Sequence, residues 1–175
     1  MQAGEEVTMA LLKIARMGHP VLLGQAAPVA DPTAPDMRRL VADMAETLLD
    51  SGGIGLAAPQ VHVPLRLFLW RDADRLRVLF NPEIIPLDDM LELGWEGCLS
   101  IPGLRGQVPR HARVAWRGFD QHGAPVEGEA SGLGARVLQH ENDHLDGIFY
   151  LMRMEDLSML GFTEELARAE AARDE

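Results

Sequence analysis

The chain is poor in cysteine and in positive charge, and it contains no long apolar run. Its 175 residues include a single cysteine, Cys98, which excludes an intrachain disulfide. The 16 basic residues are outnumbered by 27 acidic ones, and the net charge of −11 argues against a nucleic-acid-binding surface. No apolar run approaches the length that a membrane-spanning helix needs. We therefore expect a protein that binds neither nucleic acid nor membranes.

The first residues lack the features of a secretory signal peptide. Glu5 and Glu6 stand where a signal has basic residues, and no continuous apolar segment follows them. We therefore expect a cytoplasmic location, with residues 1–8 as a flexible extension. A hydrophobic fraction of 47% and a charged fraction of 25% are ordinary for a globular protein, so residues 1–175 are expected to form one domain.

Two helices are predicted outside the segment that carries the chemistry. Apolar residues recur at helical spacing from Met37 to Leu48, with Pro35 in the expected first turn and Gly52 or Gly53 at the end. A charged helix is expected over about 163–172, with Thr163 as its N-cap. Residues 163–175 would then form a C-terminal helix and tail.

Alternating apolar and polar residues predict strands in two hairpins, and no crossover helix separates the paired runs. We therefore expect an α+β fold with antiparallel or mixed sheets rather than a doubly wound sheet. The Gly-rich segment 52–60 is expected to be a loop in which the backbone can approach a substrate. The strand pairs are 65–70 with 75–81 and 112–120 with 124–130.

One stretch carries a recognisable chemical motif, because His140 to His144 reads H-E-x-x-H. Residues four apart lie on one face of a helix, so both histidines can bind the same metal ion. Glu141 lies beside the first histidine and can reach a water on that metal without being a ligand. The helix is expected from near Gly132 to near Gly147, with its apolar side against the sheets. We therefore predict a metal-dependent hydrolase built around a central buried helix.

A hydrolytic metal site has three protein ligands and keeps one position open for water. Cys98 is the candidate third ligand, because Gly97 and Gly103 allow a tight backbone around it. A lone cysteine is otherwise usually a buried apolar residue. The remaining histidines lack ligand spacing and are expected in solvated or capping positions: His19, His62, His111 and His122.

Three segments together resemble the ordered motifs of the peptide deformylase family. They are GIGLAAPQ (53–60), EGCLS (96–100) and QHENDHLDG (139–147), and the resemblance extends from about Leu11 to Met154. It implies an enzyme that removes the N-formyl group from the N-terminal formylmethionine of newly made polypeptides and releases formate. It also implies one divalent metal ion, Fe²⁺ in the cell. The same donors suit Zn²⁺, Ni²⁺ or Co²⁺ in purified protein.

The resemblance implies roles for the metal-site residues. Cys98, His140 and His144 would bind the metal, with water as the fourth ligand. Glu141 would act as general base towards that water, which attacks the formyl carbonyl, and would later protonate the leaving amine. Another metal-dependent amidase or protease could share Glu141, and a non-catalytic module could hold a structural metal. A structural site usually has four protein ligands, which disfavours that last reading.

The resemblance also implies residues that contact the substrate. The side-chain amide of Gln60 and the backbone N–H of Leu99 would stabilise the oxyanion. Gly55 would hydrogen-bond the substrate backbone, and Gly97 is a second expected substrate contact. Three apolar residues are candidates for a methionine pocket, with ordinary core packing as the alternative: Ile54, Leu133 and Val137.

The sequence allows two interpretations for several charged residues near the candidate ligands. Arg110, Glu96 and Asp143 are expected to form a charge network that holds the ligand segments together, although they could also be unrelated surface charges. Arg136 lies one turn before His140 and could face either the pocket mouth or solvent.

Some family members are thought to dock on the ribosome with a basic C-terminal helix. Residues 163–175 are acidic here, so that mode of docking is not expected, whereas transient ribosome proximity stays open.

Overall fold

The computed structural model describes residues 10–172, so the flexible extension expected at residues 1–8 lies outside the described part of the chain. Within this part there are three α-helices, α1 (Pro35–Ser51), α2 (Gly132–Leu145) and α3 (Thr163–Ala171). The strands of the described residues are β1 (Gly55–Ala57), β2 (Leu67–Asp72), β3 (Arg75–Pro86), β4 (Leu91–Cys98), β5 (Ile101–His111), β6 (Arg113–Phe119), β7 (Pro125–Ser131) and β8 (Leu160–Phe162). Short 3-10 helices cover Pro20–Leu22, Ala58–Val61, Tyr150–Arg153 and Leu157–Met159.

The strands form two antiparallel sheets, which confirms the predicted α+β class. The larger sheet has the order β1-β2-β3-β6-β7, and the smaller has the order β4-β5-β8. Both predicted hairpins are present, as β2 with β3 and as β6 with β7. β1 is an edge strand of the larger sheet and β4 is an edge strand of the smaller one. Each therefore has one side on which its backbone is free to pair.

The helix predicted after Pro35 is confirmed by α1. Pro35 occupies the first turn, where its missing N–H is not needed, and Met44 and Leu48 are buried beneath the helix. Gly52 ends the helix with φ of 66°, a left-handed conformation that glycine adopts without a steric penalty.

The predicted N-cap of the last helix is wrong. The N-cap of α3 is Phe162, whose side chain cannot accept a hydrogen bond, and Thr163 is the first helical residue. The hydroxyl of Thr163 instead donates to the carbonyl of Gly103 at 3.3 Å. The strand pairing of β8 with β5 places Phe162 extended beside Leu104, and this tertiary contact sets where the helix begins.

The sequence interpretation missed the β4–β5 hairpin and assigned the Gly-rich segment 52–60 wrongly to a loop. That segment instead contains β1 and the 3-10 helix Ala58–Val61. Pro102, Gly103 and Gly106 lower the local strand signal of β5, so its pairing with β4 depends on tertiary structure.

Helix α2 packs against the larger sheet through an apolar face. Ala135, Leu138 and Leu145 are buried in a core cluster with Phe68 and Trp70 of β2. The same helix also contacts β5, so α2 touches both sheets. None of the helices in residues 10–172 is long and apolar enough to cross a membrane.

Candidate metal centre

Three potential metal ligands converge where strand β4 meets helix α2. Cys98 is the last residue of β4, and the strand register shifts between Gly97 and Cys98. The Cys98 sulfur lies 3.3 Å from Nε2 of His144, and the ligand atoms of Cys98, His140 and His144 all lie within 4.8 Å of one another. Among residues 10–172 this is the one group of three or more such side chains close enough to hold a metal. A thiolate and two imidazoles match a catalytic site with an open position.

Glu96 determines which nitrogen of His140 is available to a metal. Nδ1 of His140 lies 2.8 Å from Oε2 of Glu96, and a carboxylate only accepts hydrogen bonds. Nδ1 therefore carries a proton in either charge state of the ring, which leaves Nε2 as the nitrogen that would bind a metal. For His144, burial lowers the pKa well below its usual value, which favours the neutral imidazole that binds metals.

Negative groups surround His140 and favour positive charge at this position. Burial lowers the pKa of His140, but hydrogen bonds to Cys98 and Glu96 and the charge of Glu141 outweigh it and raise the pKa to about 10. The same electrostatic field would attract a metal cation between these groups. The donor set and its charge therefore fit a divalent ion.

Glu141 is a buried carboxylate without a complete set of partners. It is 4% exposed, and within the described residues its Oε2 has no hydrogen-bond partner. Burial raises the pKa of Glu141 to about 7 against the opposing charge of His140. A carboxyl group with a pKa near neutrality can both accept and donate a proton under physiological conditions.

Cys98, His140 and Glu141 line a cavity of about 440 Å³ between the two sheets and α2, whereas His144 is not part of the lining. The cavity contains every residue that the sequence predicted to contact the substrate: Ile54, Gly55, Gln60, Gly97, Leu99, Leu133 and Val137. Sequence reasoning missed two side chains of the lining, Trp95 and Arg105, which belong to no recognised motif. The alternation of β4 could have indicated Trp95, since Trp95 and Gly97 are two residues apart on one strand.

The three apolar pocket candidates differ in their exposure. Ile54 is 44% and Leu133 is 62% exposed, so ordinary core packing is wrong as an explanation for these two residues. Val137 is 9% exposed and belongs to the main core cluster while also lining the cavity. The exposed pair therefore lies at the rim, and Val137 lies deeper.

Hydrogen bonds orient the amide of Gln60 towards the metal group. Its Oε1 accepts a hydrogen bond from the backbone N–H of Ala57 at 2.9 Å. Its Nε2 donates to the hydroxyl of Ser100 at 3.1 Å and lies 3.6 Å from the Cys98 sulfur. The amide N–H group therefore faces the candidate site.

The predicted charge network is confirmed. Arg110 donates to both oxygens of Glu96, at 2.8 and 3.0 Å, and to Asp143 at 2.5 Å. All three residues are 5% exposed, and Asp143 accepts two further hydrogen bonds from Arg153. Burial raises the pKa of Glu96, but hydrogen bonds from His140 and Arg110 bring it down to about 2. The carboxylate beside His140 is therefore ionised at neutral pH.

The structure also locates the side chains whose roles the sequence left open. Arg136 lines the cavity rather than pointing into solvent. His62 and His122 are exposed, and Nδ1 of His19 caps a 3-10 helix by accepting from Val21, as expected. His111 lies at the end of β5 rather than in a loop and is half-buried, but it is not part of the metal group, as its spacing predicted.

Comparison with known proteins agrees with the motifs. The family model described as polypeptide deformylase matches residues 11–159. A peptide deformylase of Bordetella pertussis is 47% identical over 163 residues, which cover 87% of this chain and 93% of that protein. A peptide deformylase of Nitrosomonas europaea is 41% identical and covers 93% of this chain and 98% of its own length.

Solved structures of similar proteins have the same fold. The Thermotoga maritima peptide deformylase superposes with a TM-score of 0.80 at 35% identity and covers 83% of this chain and 99% of its own. The actinonin-bound class I type b peptide deformylase of Acinetobacter baumannii superposes with a TM-score of 0.78 at 37% identity, with the same coverage of 83% and 99%. From its motifs, its metal-binding cluster and these relatives, the chain belongs to the peptide deformylase family.

Proposed function

We propose that this protein hydrolyses the N-formyl group of N-terminal formylmethionine in newly made polypeptides and releases formate. The observation that carries this proposal is the convergence of Cys98, His140 and His144 beside the buried carboxylate of Glu141. Family membership supports the same activity.

Cys98, His140 and His144 would hold one divalent ion, which when bound acts as a Lewis acid that lowers the pKa of water and polarises the formyl oxygen. We propose Fe²⁺ as the ion in the cell. Zn²⁺, Ni²⁺ and Co²⁺ suit the same thiolate and imidazole donors, and Ni²⁺ and Zn²⁺ bind such sites more tightly than Fe²⁺ does.

Glu141 would carry the proton in the reaction. Its carboxylate takes a proton from the attacking water and returns it to the amine that leaves when the C–N bond breaks. Burial next to the candidate ligands, with one oxygen unpartnered among the described residues, supports this role. A positioned general base of this kind contributes about 10²- to 10⁴-fold to the rate.

Two donors would stabilise the oxyanion that forms from the formyl carbonyl. The side-chain N–H of Gln60 is held in place because Ala57 binds the other end of the amide. The backbone N–H of Leu99, directly after Cys98, would be the second donor. Removal of one such donor typically costs about 3 kcal/mol of transition-state stabilisation.

The substrate would bind between the two sheets. Gly55 and Gly97 lie on the edge strands β1 and β4, where an extended peptide can pair with the free backbone. The methionine side chain would contact Ile54, Leu133 and Val137. We also propose that a crowded site admits a formyl group, which carries only hydrogen on its carbonyl carbon, and excludes an acetyl group.

We further infer that residues 1–175 act as one catalytic domain in the cytoplasm, where the proposed substrate is made. The two sheets each supply part of one cavity, which supports a single functional unit. The acidic residues of α3 disfavour docking on ribosomal RNA through the C-terminal helix.

The test is formate release from formyl-Met-Ala-Ser by anaerobically purified protein. The wild type is compared with Glu141→Ala and with Glu129→Ala, which removes an exposed carboxylate on β7 that is not part of the cavity lining. We expect formate from the wild type and from Glu129→Ala, and loss in Glu141→Ala with the metal retained. Acetyl-Met-Ala-Ser tests the steric filter, and equal rates would exclude it. If metal-loaded wild type released no formate, the proposed reaction would be wrong.

A further inference from the structure

Arg136 connects helix α2 to both strands of the β4–β5 hairpin. Its Nη1 donates to Oε1 of Glu96 at 2.9 Å and to the carbonyl of Val108 at 2.7 Å, and its Nη2 donates to the carbonyl of Glu92 at 2.6 Å. Nη1 also lies 3.3 Å from the carbonyl oxygen of Gly94. The side chain is only 11% exposed, so its contacts with Glu96 and Val108 are largely shielded from water, whereas the contact with the Glu92 carbonyl is exposed. One guanidinium therefore joins three structural elements in the wall of the cavity.

Gly94 makes room for this guanidinium. A β-carbon on Gly94 would stand 2.7 Å from Nη2 of Arg136 and 2.8 Å from its Cζ and Nε. Real β-carbons do not approach other atoms so closely, so a side chain at this position would displace the guanidinium from the strand. Gly94 pairs with Val108 across the hairpin, which brings both strands within reach of one arginine.

The contact with Glu96 links Arg136 to the candidate metal ligands. Oε1 of Glu96 accepts from Arg136 at 2.9 Å and from Arg110 at 2.8 Å, whereas Oε2 lies 2.8 Å from Nδ1 of His140. Arg110 also donates to Oε2 at 3.0 Å, so the two guanidinium groups together fix the rotation of the carboxylate, and Arg136 adds a second donor on Oε1. Cys98 lies only two residues beyond Glu96, at the end of the same strand.

We propose that Arg136 is a positioning residue for the metal centre. Through Glu96 it sets the orientation of His140, and through the carbonyls of the hairpin it holds β4, the strand that ends at Cys98, against α2. This inference rests on the proposed metal site of the deformylase. Arginine suits the role because its planar, five-donor group reaches several acceptors at once, which lysine cannot do.

The test measures metal retention rather than activity. Co²⁺-loaded protein is mixed with excess chelator, and the rate of Co²⁺ loss is followed together with the visible absorption spectrum of the bound ion. The variants are Arg136→Met and Arg136→Lys. The matched control is Arg66→Met, because Arg66 also anchors α2, through the Leu145 carbonyl at 3.3 Å and Asp146 at 2.7 Å, but does not contact Glu96.

Loss of partners around a metal ligand typically weakens metal binding by 10- to 100-fold. We expect Co²⁺ loss to be about 10- to 100-fold faster in Arg136→Met, with a changed spectrum, and to be accelerated less in Arg136→Lys. Arg66→Met should retain the wild-type rate and spectrum even if its melting temperature falls. Equal rates in Arg136→Met and wild type, or equal acceleration in Arg136→Met and Arg66→Met, would overturn the proposal.

A second variant covers the case in which Arg136→Met does not fold. Gly94→Ala keeps the arginine but displaces its guanidinium, so it should also accelerate Co²⁺ loss. In the double variant Gly94→Ala/Arg136→Lys, the alanine should accelerate Co²⁺ loss less than it does in the single variant. The guanidinium that it would displace is already absent when residue 136 is lysine. Wild-type retention in folded Gly94→Ala would overturn the proposal. Because no readout needs formate release, failure of the proposed reaction is distinguishable from failure of this inference.

Discussion

Gly55 of strand β1 and the carboxylate of Glu141 on helix α2 are in direct contact. A β-carbon on Gly55 would overlap Oε1 of Glu141 and would stand 2.7 Å from Cδ and 2.8 Å from Cγ. The absence of a side chain at Gly55 therefore allows the proposed proton carrier to occupy its position. The same glycine lies on the free edge of the larger sheet, beside the cavity.

Gly55→Ala should lower kcat/KM for formyl-Met-Ala-Ser by about 100-fold, the usual effect of displacing a reacting group by roughly 1 Å. The added methyl group would push the Glu141 carboxylate out of place while leaving the metal ligands intact. The matched control is Gly134→Ala on α2, where the new β-carbon meets only Ala130 at 3.7 Å. Steady-state kinetics with measured metal content check this, and similar kinetics for Gly55→Ala and wild type would contradict it.

Glu96→Gln should destabilise the protein by about 3–5 kcal/mol, the usual cost of breaking a buried ion pair. The substitution keeps the shape of the side chain but leaves Arg110 and Arg136 without the negative charge that they share. Urea unfolding of the metal-free protein measures the change. Glu129→Gln is the control, because its pair with Arg113 is largely exposed and should contribute little. Equal effects of the two substitutions would contradict the expected importance of burial.

Gly147→Ala should destabilise the protein more than Gly132→Ala, although both glycines have positive φ, 72° and 55°. Each substitution carries the left-handed backbone penalty of about 1–2 kcal/mol. At Gly147 the new β-carbon would also stand 2.7 Å from the carbonyl oxygen of Leu23, whereas at Gly132 no heavy atom lies within 4 Å. The midpoints of urea unfolding give the comparison. Equal midpoints would mean that the Leu23 segment moves aside without cost.

Removal of the metal should lower the melting temperature. The candidate ligands come from β4 and α2, so an ion that binds only the folded chain stabilises it by about 2.7 kcal/mol at a concentration 100 times Kd. Thermal unfolding with and without a chelator checks this. Cys98→Ala removes one ligand, so its melting temperature should respond much less to the chelator. An equal response in both proteins would exclude Cys98 as a ligand.

Local sequence patterns predicted the elements that form through local interactions. Pro35, the apolar spacing and Gly52 predicted α1, and short turns predicted the β2–β3 and β6–β7 hairpins. The β4–β5 hairpin was missed because its glycines and prolines weaken the local strand signal. It is held instead by strand pairing and by side chains of α2, since Arg136 and Gln139 both bind its backbone.

The candidate site divides in the same way. His140, Glu141 and His144 follow from the helical repeat alone, because spacing in the sequence sets their separation on one face. Cys98 was assigned with the help of a family resemblance, and no local rule could bring its sulfur to 3.3 Å from His144. Three further side chains line the cavity because the β4–β5 hairpin packs against α2: Trp95, Arg105 and Arg136.

The sequence by itself determined the helices, two hairpins and the spacing of the H-E-x-x-H residues, because each depends on residues close together in the chain. It also determined the acidic net charge, which depends on composition alone. Only the tertiary structure decided which strand end meets α2, which nitrogen of His140 faces the ligands, and where Arg136 points. Those features depend on contacts between residues more than 25 positions apart, such as Arg136 with Val108 and His140 with Glu96, whose separations of 28 and 44 residues exceed any local pattern.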